Sequence, residues 1–153
     1  MKRSWLNRSN LVLKRSPIRK KSYKKFLREE VGKAQLEYLR LFRHNDHICE
    51  ICGKYRPFLS RFHILPVGKF VKMEFVDENI LLTDWLPCHH LWHTHYEQAK
   101  SIEARIMEIK GLHYKEKLIA MNALQPKQTE MILSCKLHWY KLEAENLKKK
   151  LTI

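Results

Sequence analysis

The chain has 153 residues, of which 44% are hydrophobic, and this is enough for one domain with a modest core. The formal net charge of +14 makes nucleic acid the leading partner, because a polyanion neutralises the self-repulsion of so many cations. No apolar run approaches the roughly 20 residues of a membrane-spanning helix, and the N-terminus lacks the apolar core of a signal peptide. We therefore predict a cytoplasmic protein without membrane contact, in which the cysteines are reduced.

The N-terminal segment is strongly basic. Residues 1–28 contain eleven Lys or Arg and no acidic residue, and Ser16-Pro17 interrupts any helix. Such a segment is extended or disordered when free and becomes ordered on a phosphate backbone. We predict a flexible arm over residues 1–22. Nucleic-acid contacts are predicted for Arg15, Arg19, Lys20, Lys21, Lys24, Lys25, Arg61 and Lys69.

Hydrophobic periodicity divides the rest of the chain. Mixed three- and four-residue apolar spacing predicts a helix over residues 23–43, although Gly32 weakens the pattern. Residues 44–87 have short apolar runs broken by Gly and Pro, which is typical of short strands and loops. Helical patterns return after this segment, over residues 89–110, 112–124 and 127–149.

The C-terminal extension, residues 97–153, is predicted to be helical. Its last helix carries an apolar stripe, typical of a core or of a seam with a partner, and Cys135 in this stripe is predicted to be a buried thiol. A homodimer through these helices is one reading of the stripe. A further hypothesis is that the chain is a purely structural partner protein. This hypothesis does not explain the order of His and Cys residues that is described next.

Three cysteines predict a structural zinc site. Cys49 and Cys52 are three residues apart and precede Gly53, a spacing typical of a zinc knuckle. Cys88 supplies a third thiol, so a tetrahedral zinc ion needs one more ligand. The candidates for this fourth ligand are Asp84, His47 and His90, and the sequence does not show which of them binds the ion.

Histidines cluster in the same part of the chain. Five of the nine lie within residues 63–95. His89 and His93 are four residues apart, so on a helix both imidazoles lie on one face and can bind one ion. Trp85 and Trp92 flank these residues and are predicted to pack around the metal core rather than to stack on bases.

The order of these motifs resembles the HNH endonuclease family. A CxxC knuckle is followed by His63-Ile64-Leu65-Pro66, by Asn79 before an apolar run, and by Cys88-His89 at a helix start. Together with the basic arm, this order is similar to small HNH proteins of bacteriophage genomes. The resemblance covers about residues 49–93 and implies an α+β fold. In that fold a small ββα-metal core with a zinc knuckle spans residues 44–96, flanked by the helices.

The resemblance also implies an activity. An HNH protein hydrolyses DNA phosphodiester bonds with one metal ion, here Mg, Mn or Zn. By position, His63 would be the general base, Asn79 would hold the hairpin and orient His63, and His89 and His93 would bind the ion. The partner would be duplex or branched DNA, with RNA as an alternative, in the cytosol of a bacterial or phage-infected cell.

Two positions depart from the family pattern. Phe62 stands where a His or Asp usually supplies another metal ligand, and phenylalanine cannot coordinate. The second knuckle has one extra residue between Asp84 and Cys88 and lacks one thiol. Either another group completes the catalytic site, or the chain is a non-catalytic zinc-containing DNA- or RNA-binding or recombination accessory protein.

Overall fold

In a computed structural model of the chain, residues 22–152 are described, and they form five α-helices and a two-stranded antiparallel sheet. The α+β class predicted from the sequence is therefore confirmed. The arm cations Arg15, Arg19, Lys20 and Lys21 lie outside the described residues. In chain order the elements are α1 (Tyr23–Phe42), β1 (Ser60–His63), β2 (Ile80–Thr83), α2 (His90–Thr94), α3 (Tyr96–Lys110), α4 (Tyr114–Leu124) and α5 (Glu130–Leu151).

The helices begin and end at residues with identifiable roles. The Ser22 hydroxyl caps α1 by accepting the Lys25 backbone N–H, and Gly111, at φ +91°, ends α3. The helix expected over residues 89–110 is interrupted, because His95 is extended (φ −132°, ψ 108°) and separates α2 from α3. Between Ser22 and Thr152, no helix combines the length and the apolar content of a membrane span.

The hairpin of β1 and β2 lies at the centre of the fold. Its register pairs Ser60 with Thr83 and His63 with Ile80, so alternate residues point to opposite faces. One face, with Phe62, joins a core that includes Cys49, Cys88 and residues of α3 and α4. The other face joins a second core between α1 and α5. The hairpin is thus packed on both sides, and much of its apolar surroundings comes from residues beyond 44–96.

The apolar stripe of α5 packs inside the chain. Leu133, Tyr140 and Ala144 are buried in the core that α5 shares with α1. This packing accounts for the buried part of the stripe, whereas Met131, Trp139 and Leu142 are exposed, and a homodimer stays a prediction. Cys135 was expected to be buried, but it is exposed, because α5 buries only a narrow stripe and position 135 lies outside it.

A buried polar network connects α1, the hairpin and α5. The Arg61 guanidinium donates to Gln35 Oε1 (2.9 Å), and the Gln35 amide donates to Asp77 Oδ1 (2.7 Å) and contacts the Tyr140 hydroxyl. Gly32 lies in the middle of α1 because a Cβ at this position would overlap the Arg61 guanidinium. The glycine that weakened the helix prediction is therefore explained by a packing contact with β1.

Candidate active site and metal centre

The three knuckle cysteines converge on one point. The Sγ atoms of Cys49, Cys52 and Cys88 all lie within 4.8 Å of one another. A tight turn points the first two inward: Cys49 N–H donates to Lys54 O (2.9 Å), and Gly53, at φ +68°, donates its N–H to Cys49 O (2.8 Å). The positive φ explains why glycine follows the second cysteine.

Glu50 attaches this knuckle to the hairpin. Its carboxylate accepts the backbone N–H of Leu82 (2.7 Å) and pairs with Arg43 just after α1 (3.0 Å). The Glu50 N–H in turn donates to Leu82 O (2.9 Å). The knuckle is therefore fixed to β2 and to the end of α1, which holds the cysteines in place.

The chemistry of the three thiols suits a metal cation. Burial and the neighbouring Cys49 raise the pKa of Cys88, because clustered thiolates repel one another in an apolar site. Burial also opposes ionisation of Cys52, yet hydrogen bonds from the Lys54 backbone and the other two thiols lower its pKa. The Asp84 N–H donates to Cys49 Sγ (3.4 Å), a contact that stabilises a thiolate. A cation of the zinc type would offset the repulsion, and this donor set fits it.

The fourth ligand does not come from the Asp84 carboxylate in this structure. Asp84 pairs with Arg56 (2.6 Å), and only its backbone contacts the thiol cluster. His47 Nε2 accepts from Arg40 (2.7 Å), so its other nitrogen carries the proton and no lone pair remains. His90 also lies outside the cluster. Among residues 22–152, the group of ligand atoms is completed by no fourth His, Cys, Asp or Glu.

His63, at the end of β1, is held in one tautomer. Its Nε2 lies 3.0 Å from the backbone oxygen of Glu74, which can only accept, so Nε2 carries the proton and Nδ1 keeps its lone pair. Burial lowers the pKa of His63 to about 4, the Glu74 hydrogen bond opposes this shift, and the charges of Arg61 and His89 reinforce it. His63 is therefore a neutral proton acceptor at physiological pH.

Asn79 has a structural role that does not include contact with His63. Its fully buried side chain accepts from Leu65 N–H (2.8 Å) and donates to the backbone oxygens of Leu65 (3.2 Å) and Met73 (3.1 Å). It therefore holds the connection between β1 and β2. The hydrogen bond that orients His63 is instead the one that its Nε2 donates to the backbone oxygen of Glu74, which the sequence analysis did not identify.

We expect Asn79→Ala to lower the free energy of unfolding by about 3 kcal/mol, because it leaves the buried N–H and carbonyl of Leu65 without their side-chain partner and leaves Met73 O with only the Val76 N–H. Chemical denaturation followed by circular dichroism measures this loss. Asn122→Ala on α4 is the matched control and should change stability by no more than about 0.5 kcal/mol. Equal losses in the two variants would contradict the structural role of Asn79.

His89 is also held in one tautomer, by Ser60. The Ser60 hydroxyl lies 3.1 Å from both Thr83 O and His89 Nδ1, and when it donates its single proton to Thr83 O, its oxygen accepts from His89 Nδ1. This leaves the Nε2 lone pair of His89 free. The His93 ring lies next to it, with 5.2 Å between the ring centroids. Burial, and to a lesser extent His93, lower the pKa of His89 to about 4, so His89 is neutral and able to bind a cation.

Phe62 fills the space beside His89 and His93. Its ring is fully buried and meets His89 (5.4 Å) and Trp92 (5.3 Å) edge to face. Position 62 thus faces the His89 imidazole with an apolar ring. Trp92 packs in this core as expected, whereas Trp85 is 55% exposed and only its contact with His89 (4.6 Å) joins it to the site.

The cations predicted to contact nucleic acid fall into two groups. Lys24, Lys25 and Lys69 are exposed and can meet a phosphate backbone. Arg61 differs, because its guanidinium points inward to Gln35 and lies over the Phe75 ring (5.3 Å). Burial lowers the pKa of Arg61, although Glu74 opposes the shift. The partners of Arg61 are distant in sequence, so composition alone suggested a surface cation.

Ser60 and Glu74 are the site residues that sequence reasoning missed. Ser60 is two residues before Phe62, so the period of a strand places both on the face that meets His89. The two-residue alternation of side chains along a strand could therefore have identified Ser60 from the sequence. Glu74 acts through its backbone, which no side-chain motif reveals.

Comparison of the chain with protein-family models, with curated proteins and with solved structures finds no match.

Proposed function

We propose that this chain is a metal-dependent endonuclease of the HNH type, which hydrolyses DNA phosphodiester bonds with His63 as general base. The observation that carries the proposal is the fixed tautomer of two imidazoles. His63 keeps the Nδ1 lone pair and His89 keeps the Nε2 lone pair, each because a neighbouring backbone or hydroxyl group holds the other nitrogen. Such preorganisation is expected of one group that accepts a proton and of another that binds a cation. His63 projects from the opposite face of β1 to Ser60 and Phe62, which contact His89, and the charge of His89 that acts on His63 supports a shared phosphate between them.

His63 would remove the proton from an attacking water. Its Nδ1 is the only nitrogen of the ring with a lone pair, and the Glu74 carbonyl prevents the ring from turning. Because burial keeps the imidazole neutral, it is ready to accept a proton without first losing one. The proton moves from the water to Nδ1 as the water oxygen attacks phosphorus, the bond between phosphorus and the leaving 3′ oxygen breaks, and that oxygen takes up a proton from solvent.

His89 and His93 would hold the nuclease ion, Mg, Mn or Zn. When bound, such an ion polarises the phosphate and stabilises the leaving oxygen. Ser60 fixes His89 in the orientation that presents Nε2, and Phe62 and Trp92 exclude water from one side of the ring. Cys49, Cys52 and Cys88 would hold a separate structural zinc ion that ties the knuckle to the start of α2.

The second candidate function is a non-catalytic zinc-containing DNA- or RNA-binding protein. Phe62 favours it, because a fully buried phenyl ring occupies the position from which the HNH pattern supplies a further ligand. With two imidazoles, water and phosphate oxygens would have to complete the coordination of the ion. The two candidates differ in one measurable property, which is metal-dependent cleavage.

Cleavage of plasmid and branched DNA, with and without Mg or Mn, tests the proposal. We expect the wild type to cut only with metal. We expect His89→Ala and His93→Ala to raise the metal concentration for half-maximal cleavage by at least about 100-fold, because the loss of a group that only positions a ligand already costs about 10- to 100-fold. His95→Ala, at an exposed position between α2 and α3, is the control and should behave as wild type. Absence of metal-dependent cleavage by the wild type would favour the second candidate.

A further inference from the structure

A groove with a volume of about 430 Å³ lies beside the first turn of α1. It is enclosed by this turn, by β1 and by the segment that precedes β2. Charged side chains make up nearly all of its wall. The lining residues are Ser22, Lys24, Lys25, Arg28, Glu29, Arg61 and Glu74.

The groove has more positive than negative charges, and this excess favours the binding of an anion. Its four cations outnumber its two carboxylates. Glu74 is paired with Arg28 (2.6 Å) and is also the nearby negative charge that acts on Arg61, so two guanidinium groups share one carboxylate. The side-chain acceptor for Arg61 is a neutral amide, that of Gln35. A bound phosphate would supply the missing negative charge in a partly buried place, where charge pairs are strongest.

The first turn of α1 adds to this imbalance. It contains no acidic residue, although acidic side chains are favoured at a helix N-terminus, and it carries Lys24 and Lys25 instead. Cations at this end oppose the helix dipole. An anion between them would relieve both the repulsion of the lysines and their conflict with the dipole.

The groove borders the candidate base. The carboxylate of Glu74 accepts from Arg28 in the groove, while its backbone oxygen accepts from His63 Nε2. Arg61 and His63 are two residues apart on β1 and lie on the same face of the hairpin. A strand of DNA whose phosphate is attacked next to His63 would therefore pass the groove.

We propose that this groove binds a backbone phosphate of the DNA strand that runs past His63, with Lys24, Lys25 and Arg28 as positioning residues. The inference rests on the proposed nuclease function and names where the substrate lies. The contact fixes the register of the strand without reading its bases, since phosphates are the same in every sequence. Arg61 supplies charge from the floor of the groove, while the two lysines and Arg28 contact the phosphate.

DNA binding in the absence of metal tests the groove without relying on catalysis. The full-length double variant Lys24→Gln/Lys25→Gln and the wild type are titrated onto a short fluorescein-labelled duplex in EDTA at several salt concentrations. We expect the slope of log affinity against log salt to become shallower by up to about 0.9, because the contact with one phosphate is lost. At about 0.1 M salt the affinity should fall roughly 5- to 10-fold.

The control removes the same charge elsewhere. Lys33→Gln/Lys141→Gln takes two exposed lysines from α1 and α5 outside the groove, and it should leave the slope near that of the wild type. An unchanged slope in the groove variant, or an equal change in the control, would contradict phosphate binding in the groove even if the wild type cuts DNA. A shallower slope only in the groove variant supports phosphate binding in the groove. This result is independent of the nuclease assay, because a failure of that assay would contradict only the proposed nuclease activity.

Discussion

Freshly purified protein is expected to contain about one equivalent of zinc, and its removal should lower the free energy of unfolding by at least about 4 kcal/mol. The three thiols bring together the knuckle after α1 and the turn before α2, so a bound ion would connect segments that are distant in sequence. A ligand that binds only the folded state at a thousand times its dissociation constant contributes about this much. This is a large share of the 5 to 15 kcal/mol that stabilises a typical domain.

Elemental analysis measures the zinc content, and urea denaturation with and without a chelator measures the stability. We expect Cys88→Ser to lose both the zinc and the response to the chelator. Cys135→Ser is the matched control, because Cys135 is exposed on α5 and lies outside the thiol cluster. Loss of the chelator response separates metal binding from the cost of a buried hydroxyl at position 88. Less than about half an equivalent of zinc in the wild type would contradict the site.

The pairing of Cys49 and Cys52 could be predicted from the sequence because it rests on local geometry, whereas Cys88 was grouped with them only because a tetrahedral zinc ion needs more ligands. The tight turn of the knuckle needs only Cys49, Cys52 and a glycine that accepts a positive φ. The helices could be predicted for a similar reason, since one apolar face repeats along each of them. The break at His95 could not, because the residues on both sides of it favour helix and only its backbone conformation separates α2 from α3.

The groups that orient the imidazoles could not be predicted, because their partners are distant in sequence. His89 donates its hydrogen bond to Ser60, 29 residues earlier, and His63 donates its own to the backbone oxygen of Glu74. The buried network of Gln35 and Tyr140 spans 105 residues. Such pairs depend on how α1 and α5 pack on the hairpin, so no local pattern reveals them. This is also why Arg61 was expected at the surface.

His63→Ala is expected to reduce the rate of metal-dependent cleavage about 100-fold, near the lower end of what general bases contribute. The lower end applies because a base with a pKa of about 4 accepts a proton less readily than an ordinary imidazole. Single-turnover cleavage with saturating metal measures the rate. His113→Ala, at an exposed position before α4, is the control and should cut at the wild-type rate.

The pH profile of the wild type gives a second test of the same residue. His63 acts as a base only when neutral, and burial holds its pKa near 4, so the neutral form predominates down to about pH 5. The cleavage rate at saturating metal should therefore change little between about pH 8 and pH 5 and fall below that range. An ordinary exposed imidazole would instead lose rate below about pH 6.5. A tenfold fall per pH unit starting there, or a His63→Ala variant that cuts as fast as the wild type, would show that another group removes the proton.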